Sequence, residues 1–202
     1  MDSVDPTRAA LLLMDFQNYG LHPDGYWAQQ GLPTWPALAY QAIEPTARVL
    51  AAARQYQHPL VIHVGAMWRP GSPEMNLSIP VFARGPDRAV EGTWAADFYE
   101  PLQPVTGEIV ILKRSISALA GNELDRLLRV RDINTLVLAG IATNFVVEGT
   151  AREAVDRGYR VVVLADCCAS ATEEMHDFSI RVILPELCHV SAADEFVRWL
   201  GE

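Results

Sequence analysis

The chain has 202 residues, of which 50% are hydrophobic and 20% charged, a composition that excludes a disordered polar segment and suits one domain with a sizeable core. A formal net charge of −9 argues against non-specific binding to nucleic acid, although the field inside a site can differ in sign from the whole. No apolar run is long enough to span a membrane, and no basic-plus-apolar signal pattern opens the chain. The cysteines, Cys167, Cys168 and Cys188, are odd in number and two are adjacent, which fits neither a disulfide framework nor a zinc site. Reduced thiols and a cytoplasmic protein are expected.

Met1 to Thr7 reads as a short leader. Arg8 to Asp15, RAALLLMD, is a continuous apolar run that ends in an acid, the pattern of a strand buried on both faces. Phe16 to Pro36 is rich in Gly, Pro and aromatic residues and reads as a loop over the carboxyl edge of a sheet. The spacing of Ile43, Ala47, Leu50 and Ala51 predicts a helix over Pro36 to Gln57. His58-Pro59 stops it, and a second strand runs to Val64. Gly65 to Gly107 is irregular, and a loop that long inside one domain suggests a lid or a binding loop.

Glu108 to Lys113 is a third strand. A helix over Gly121 to Val130 follows, with Asn122 as its cap and Leu124, Leu127 and Leu128 on its apolar face. Strand four is Thr135 to Gly140, and the helix after it runs to Arg157, where Gly158 ends it. Strand five is Arg160 to Asp166. Thr172 to Leu184 is helical, Cys188 to Ser191 a sixth strand, and Ala192 to Leu200 a closing helix. Strands alternate with helices throughout, with no repeat or linker. The expectation is one α/β domain over residues 1–202, a doubly wound parallel sheet with helices on both faces.

Ligands in such sheets sit beyond the carboxyl ends of the strands. The stretch Thr135 to Ala154, TLVLAGIATNFVVEGTAREA, places a turn there, with Val146 at the head of its helix. Backbone N–H groups of Ile141 to Phe145 either cradle an oxyanion or form an ordinary connection capped by Thr143 or Asn144. Asp15 follows four apolar residues at a strand end, where it is either a partly desolvated acid or a cap. Lys113 ends another strand, and either it or Arg114 points inward to orient a carboxylate or bind an anion.

His63 lies in an apolar strand and reads as a packed, hydrogen-bonded histidine. His22 and Asp24 with His63 do not have the spacing of a metal signature, so no metal and no cofactor are expected. His176, in a polar helical stretch, is expected at the surface. Trp27, Trp68, Trp94 and Phe98 either line a pocket or pack under a lid.

LLLMDFQN, the lysine that ends ILK, LAGIATNFVVEGTAREA and GYRVVVLADCCAS, in that order, resemble the isochorismatase-like (cysteine hydrolase) superfamily over essentially the whole chain. The resemblance implies a six-stranded parallel sheet, usually in a homodimer or homotetramer, acting on a small molecule. It assigns the family's aspartate to Asp15 and its lysine to Lys113. The nucleophilic cysteine of most members falls on Val146, which has no nucleophilic atom, so an acyl-enzyme route is closed. Isochorismatases proper usually carry glycine there and hydrolyse a vinyl ether with an acid and water.

By that resemblance Asp15 and Lys113 are the catalytic pair. Gln17, Ala142, Thr143, Asn144, Val146, Trp68 and Trp94 are the substrate-binding or oxyanion residues. The leading expectation is a hydrolase that works without a cysteine. The alternatives are other acid/base chemistry on the same fold, or a small-molecule binder without activity.

Overall fold

The structure is a computed structural model that describes residues 4–30, 35–83, 85 and 88–201. Six strands form one sheet: β1 (Ala9–Met14), β2 (Leu60–Ala66), β3 (Ile109–Lys113), β4 (Thr135–Ile141), β5 (Arg160–Ala169) and β6 (His189–Ser191). All pairings are parallel, in the order β3-β2-β1-β4-β5-β6. The longer helices are α1 (Trp35–Tyr56), α2 (Leu124–Val130), α3 (Glu148–Asp156), α4 (Glu173–Phe178) and α5 (Ala193–Gly201). The expected doubly wound architecture is the observed one.

β1 shows why the sheet has two covered faces. All six of its residues are buried. Successive side chains of a strand point to opposite faces, so Leu11 and Leu13 enter one core with Leu50 and Phe196, while Leu12 and Met14 enter the other with Leu124 and Ala151. α1 and α5 pack on the first face, and α2 and α3 on the second. A strand covered on both sides needs apolar residues at every position, which is what the run Ala9 to Met14 supplies.

The chain winds outward from β1 through β2 to β3, then returns to place β4 on the other side of β1. The winding therefore reverses between β1 and β4, and the crevice beyond their carboxyl ends is where such a fold binds ligands. Gly140 keeps this junction tight. A Cβ there would lie 2.9 Å from both the Cβ and the carbonyl oxygen of Met14, and 3.3 Å from Val147 Cγ2.

Several boundaries differ from the sequence reading. β5 was expected to end at Asp166 but continues to Ala169, past a register shift opposite Leu138 and Gly140. The adjacent cysteines therefore lie inside the strand. The helix after β4 opens as a π-helical turn, Thr143–Val147, and becomes α-helical only at Glu148. Thr172 to Leu184 is α-helical over Glu173–Phe178 and then widens to a π-helical turn. α2 starts at Leu124 and not at Gly121, with Glu123 and not Asn122 at its N-cap; the Asn122 side chain accepts from Leu124 N–H at 2.9 Å in the turn before it. Parts of the expected leader and first loop, residues 1–3 and 31–34, lie outside the described residues.

His63 is fully buried in β2, as its apolar setting suggested, and its Nε2 lies 2.9 Å from Glu108 Oε2. Arg54 of α1 donates to both oxygens of the same carboxylate, at 2.8 and 2.9 Å. These bonds pull Glu108 down to about 2 against the opposing effect of burial. Burial also holds His63 below its ordinary value, so the folded protein favours neutral histidine beside ionised glutamate. Stability is expected to fall as pH drops below about 6.5, the unfolded histidine value, and to fall again below about 4.5 as Glu108 protonates. Urea midpoints measured from pH 8 to pH 3 check this, and His63→Gln should remove the first step and leave the second.

Candidate active site

Asp15 is the first residue after β1, with its N–H bonded to Val64 O at 2.8 Å. Its backbone takes φ +61°, a left-handed conformation that non-glycine residues adopt rarely and at some energetic cost. The side chain is only 7% exposed. Lys113 ends β3, two strands away, and is 3% exposed. In the sheet Ala66 of β2 stands between them, paired with Lys113. Over this small residue Lys113 Nζ reaches Asp15 Oδ2 at 2.9 Å and also donates to Ser115 O at 2.9 Å. Arg114 turns outward and meets Glu74 Oε1 at 2.7 Å, which settles which of the two cations points inward.

Asp15 Oδ1 is buried and has no hydrogen-bond partner among the described residues. Burial pushes the Asp15 carboxyl above its ordinary value, and the Lys113 ammonium opposes that only in part. The result is a carboxyl that can carry a proton nearer neutrality than an exposed one.

The pair faces a cavity of about 630 Å³ lined largely by apolar side chains. Ile141, Ala142, Asn144 and Val146 line it from the β4 side, Tyr19, Tyr26 and Trp27 from the loop after β1, and Trp68, Phe82 and Arg88 from the long segment after β2. Val146 is 2% exposed and presents only methyl groups to the cavity. The Ile141–Ala142 peptide is cis. Within the turn, the N–H groups of Phe145 and Val147 donate to Ala142 O, at 3.1 and 3.4 Å, and that of Asn144 points to Ser170 Oγ at 3.4 Å.

The expected site residues divide cleanly. Asp15, Lys113, Ala142, Asn144, Val146 and Trp68 meet around this one cavity. Gln17, Thr143 and Trp94 do not line it. Gln17 is fully buried, donating to Ala66 O and Ala96 O and accepting from Ala66 N–H, so its amide straps the long segment to β2. Thr143 is also fully buried, with its hydroxyl 2.8 Å from His176 Nδ1. Trp94 is 48% exposed and lines a separate cleft with His22 and Tyr99.

Of the remaining aromatics, Trp27 lines the active cavity, whereas Phe98 packs edge-on against His63 and lines the second cleft. His176 corrects the sequence reading: expected at the surface, it is partly buried and bonded to the active-site turn, because α4 folds back over that turn. Burial holds it below its ordinary value. Sequence reasoning missed Arg88, Tyr19, Tyr26 and Phe82. Each lies in irregular chain, where no periodicity marks the inward side.

None of the cysteines lines the cavity. Cys168 donates to Leu164 O at 3.2 Å, and burial pushes its thiol up to about 12. Cys167 is pushed upward as well, and Cys188 up to about 11. Of the hydroxyls, Ser115 Oγ lies 2.9 Å from Ser117 O and 3.0 Å from Ala120 O, and Thr172 Oγ1 accepts from Met175 N–H. Neither is paired with a base. No group of three or more His, Cys, Asp or Glu arranged for a metal ion occurs among the described residues.

The isochorismatase domain family matches residues 9–195. The chain belongs to this family. It is 33% identical over 219 residues to the ureidoacrylate amidohydrolase RutB of Methylobacterium radiotolerans, covering 98% of this chain and 82% of that protein. It is 29% identical over 182 residues to the maleamate amidohydrolase of Pseudomonas putida, covering 86% and 78%. A cysteine hydrolase from Pseudomonas syringae superposes with a TM-score of 0.88 at 22% identity, over 98% of this chain and 94% of that one, which establishes the shared fold. Two of these relatives are amidohydrolases, and family membership makes this chain an isochorismatase-family hydrolase.

The electrostatics of the pair can be tested directly. The carboxyl ¹³C resonance of Asp15 is expected to titrate above the ordinary aspartate value. In Lys113→Met its midpoint should move further up, because the cation that favours the ionised form is gone. An unshifted midpoint in the variant would mean that the two groups do not interact in solution.

Proposed function

We propose that this isochorismatase-family protein is a cysteine-independent hydrolase of a small, anionic, enol-ether-type metabolite, with Asp15 as its acid/base and Lys113 as the group that holds it. The observation that carries the reading is the buried Asp15–Lys113 pair opening onto a cavity that Val146, from the turn after β4, helps to line. A valine cannot form an acyl enzyme, and the remaining hydroxyls are not activated by a base. What the cavity retains is an acid with a free oxygen and a raised affinity for a proton.

Vinyl-ether hydrolysis needs little more. Protonated Asp15 gives its proton to the terminal enol carbon, which leaves an oxocarbenium ion. Water adds to that ion and returns a proton to Asp15. The hemiketal so formed collapses to an alcohol and a ketone, so the net reaction consumes one water and regenerates the acid. Lys113 balances the carboxylate formed in the first step and fixes its position. Val146 and the neighbouring apolar walls keep the site dry, which favours the protonated carboxyl before the step.

The charge of the cavity supports an anionic substrate. Its charged lining residues among those described are Asp15, Lys113 and Arg88, a sum of +1 with Asp15 ionised and +2 with it protonated, in a chain whose net charge is −9. A second reading draws on the amidohydrolase relatives: ionised Asp15 activates a water against an amide or ureido carbonyl, again without a covalent intermediate.

Pyruvate release from isochorismate, beside a panel of other enol ethers and amides, tests both readings. Asp15→Asn is expected to lower turnover by at least ~10²-fold on whichever substrate is cleaved. Unchanged turnover in that variant would sink both. Cleavage of amides but not enol ethers would favour the second.

A further inference from the structure

The turn after β4 is gripped from one side. The stretch Ser170 to Ser179, which contains α4, bonds to the turn and the helix start that follows it at three places. Ser170 Oγ donates to Asn144 Oδ1 at 2.8 Å, Thr143 Oγ1 lies 2.8 Å from His176 Nδ1, and Ser179 Oγ donates to Glu148 Oε2 at 2.8 Å. Between the first two grips the stretch contributes Ala171, Thr172 and Met175 to the active cavity, and the turn contributes Ala142, Asn144 and Val146. Two walls of one cavity are therefore joined by these bonds. Of the residues on the α4 side of them, Ser170, His176 and Ser179, only the histidine changes its charge near neutral pH.

The burial of Thr143 fixes the direction of its bond to His176. Thr143 is fully buried, and its hydroxyl has no other hydrogen-bond partner among the described residues. A hydroxyl carries one donor, and a buried donor without an acceptor is costly. Only an imidazole with its Nδ1 lone pair free satisfies it, so the O–H donates to Nδ1 and the ring proton sits on Nε2. A protonated His176 carries a proton on Nδ1 as well, and the hydroxyl must then turn away with no acceptor to meet. Burial holds His176 below its ordinary value, with Asp177 favouring the cation and Arg181 opposing it. Glu173 and Glu174 are the other charges of its own helix, and Arg181 pairs with Asp177 at 3.3 Å. The turn Thr143–Val147 carries no ionisable side chain. Beyond it Glu148 is engaged by Ser179 and Arg152, and the end of β5 brings Asp166, which accepts from Ala193 N–H, and the thiols of Cys167 and Cys168.

We propose that His176 is a positioning residue of this active site: as a neutral imidazole it accepts the Thr143 hydroxyl and fixes the turn that brings Ala142, Asn144 and Val146 to the cavity, and its protonation releases that turn. The inference rests on the reading of this cavity as the site of hydrolysis. His176 does not itself line the cavity and acts only through Thr143. Because its affinity for a proton is lowered, the bond is intact above a midpoint that lies below 6.5 and is lost as pH falls through that midpoint. A reacting site works only while its walls are held to within about 0.5 Å, so release of the turn lowers turnover even with the Asp15–Lys113 pair in place.

The first test needs no turnover. In protein labelled with ¹⁵N and ¹³C, the amide resonances of residues 143–147 are followed from pH 8 to pH 5 beside the imidazole resonances of His176. The turn amides are expected to move with the midpoint of His176. Thr143→Val keeps the shape of the side chain and removes the hydroxyl; in it the amides should no longer follow His176, and Thr143→Ser should restore the coupling. A charge effect through space would act alike in all three proteins. On whichever substrate of the panel is cleaved, Thr143→Val should lower kcat by about 10- to 100-fold well above that midpoint, with KM changed less. The fall in kcat that the wild type shows below the midpoint should be absent from the variant. Turn amides that move equally in a folded Thr143→Val protein would overturn the inference. Turn amides that stay still while His176 titrates in the wild type would overturn it even if Thr143→Val failed to fold. Amides that follow His176 in a protein that cleaves nothing in the panel would instead overturn the hydrolytic reading and leave the coupling of His176 to the turn standing.

Discussion

The ion pair between Asp15 and Lys113 is the constraint around which the active edge is built. Both groups are nearly excluded from water, and removing one partner of such a pair leaves a buried charge at a cost of about 3–5 kcal/mol. The fold maintains it with specific devices. Asp15 takes a left-handed backbone that aims its carboxyl inward, Ala66 is small enough for the lysine to pass, and Ser115 O accepts a second bond from the ammonium. The pair is asymmetric: one oxygen of Asp15 holds Lys113, and the other has no hydrogen-bond partner among the described residues. In the proposed reaction that oxygen is the one that carries the proton.

The cavity follows from topology joined to loop packing. The reversal between β1 and β4 opens the crevice, and Gly140 lets the two strands and the following turn lie close together. Gln17 then fastens the long segment after β2 to the sheet through three hydrogen bonds. On the opposite wall the Thr143–His176 bond pins the turn that carries Val146 beneath α4. The walls of the site are thus held in part by buried polar bonds made behind them.

Much of this was legible in the sequence, and the reasons are local. The run Ala9 to Met14 announces a strand buried on both faces, and an acid at its end is conspicuous because nothing else in the run is polar. LAGIATNFVV marks a strand, a tight turn and a helix start, which places Val146 at the crevice. The misreadings are equally physical. Gln17 and Trp94 sit in loops, where no period separates inward from outward positions. Thr143 was expected among the cradle residues, but its hydroxyl faces His176, which a sequence of polar helical residues does not reveal. The extension of β5 past Asp166 depends on a register shift against β4, a property of the pair of strands and of neither alone.

The sequence by itself determined the parallel sheet, because alternating apolar strands and amphipathic helices have few other ways to bury their surfaces. It also determined that a valine, with no reactive atom, follows the turn after β4. Only the tertiary structure decided that Lys113 and not Arg114 turns inward, since the choice depends on where Asp15 and Glu74 lie. It alone decided that Arg88 and Trp68 line the same cavity, because both come from a segment whose path is set by its contacts with the rest of the fold and not by its own residue pattern.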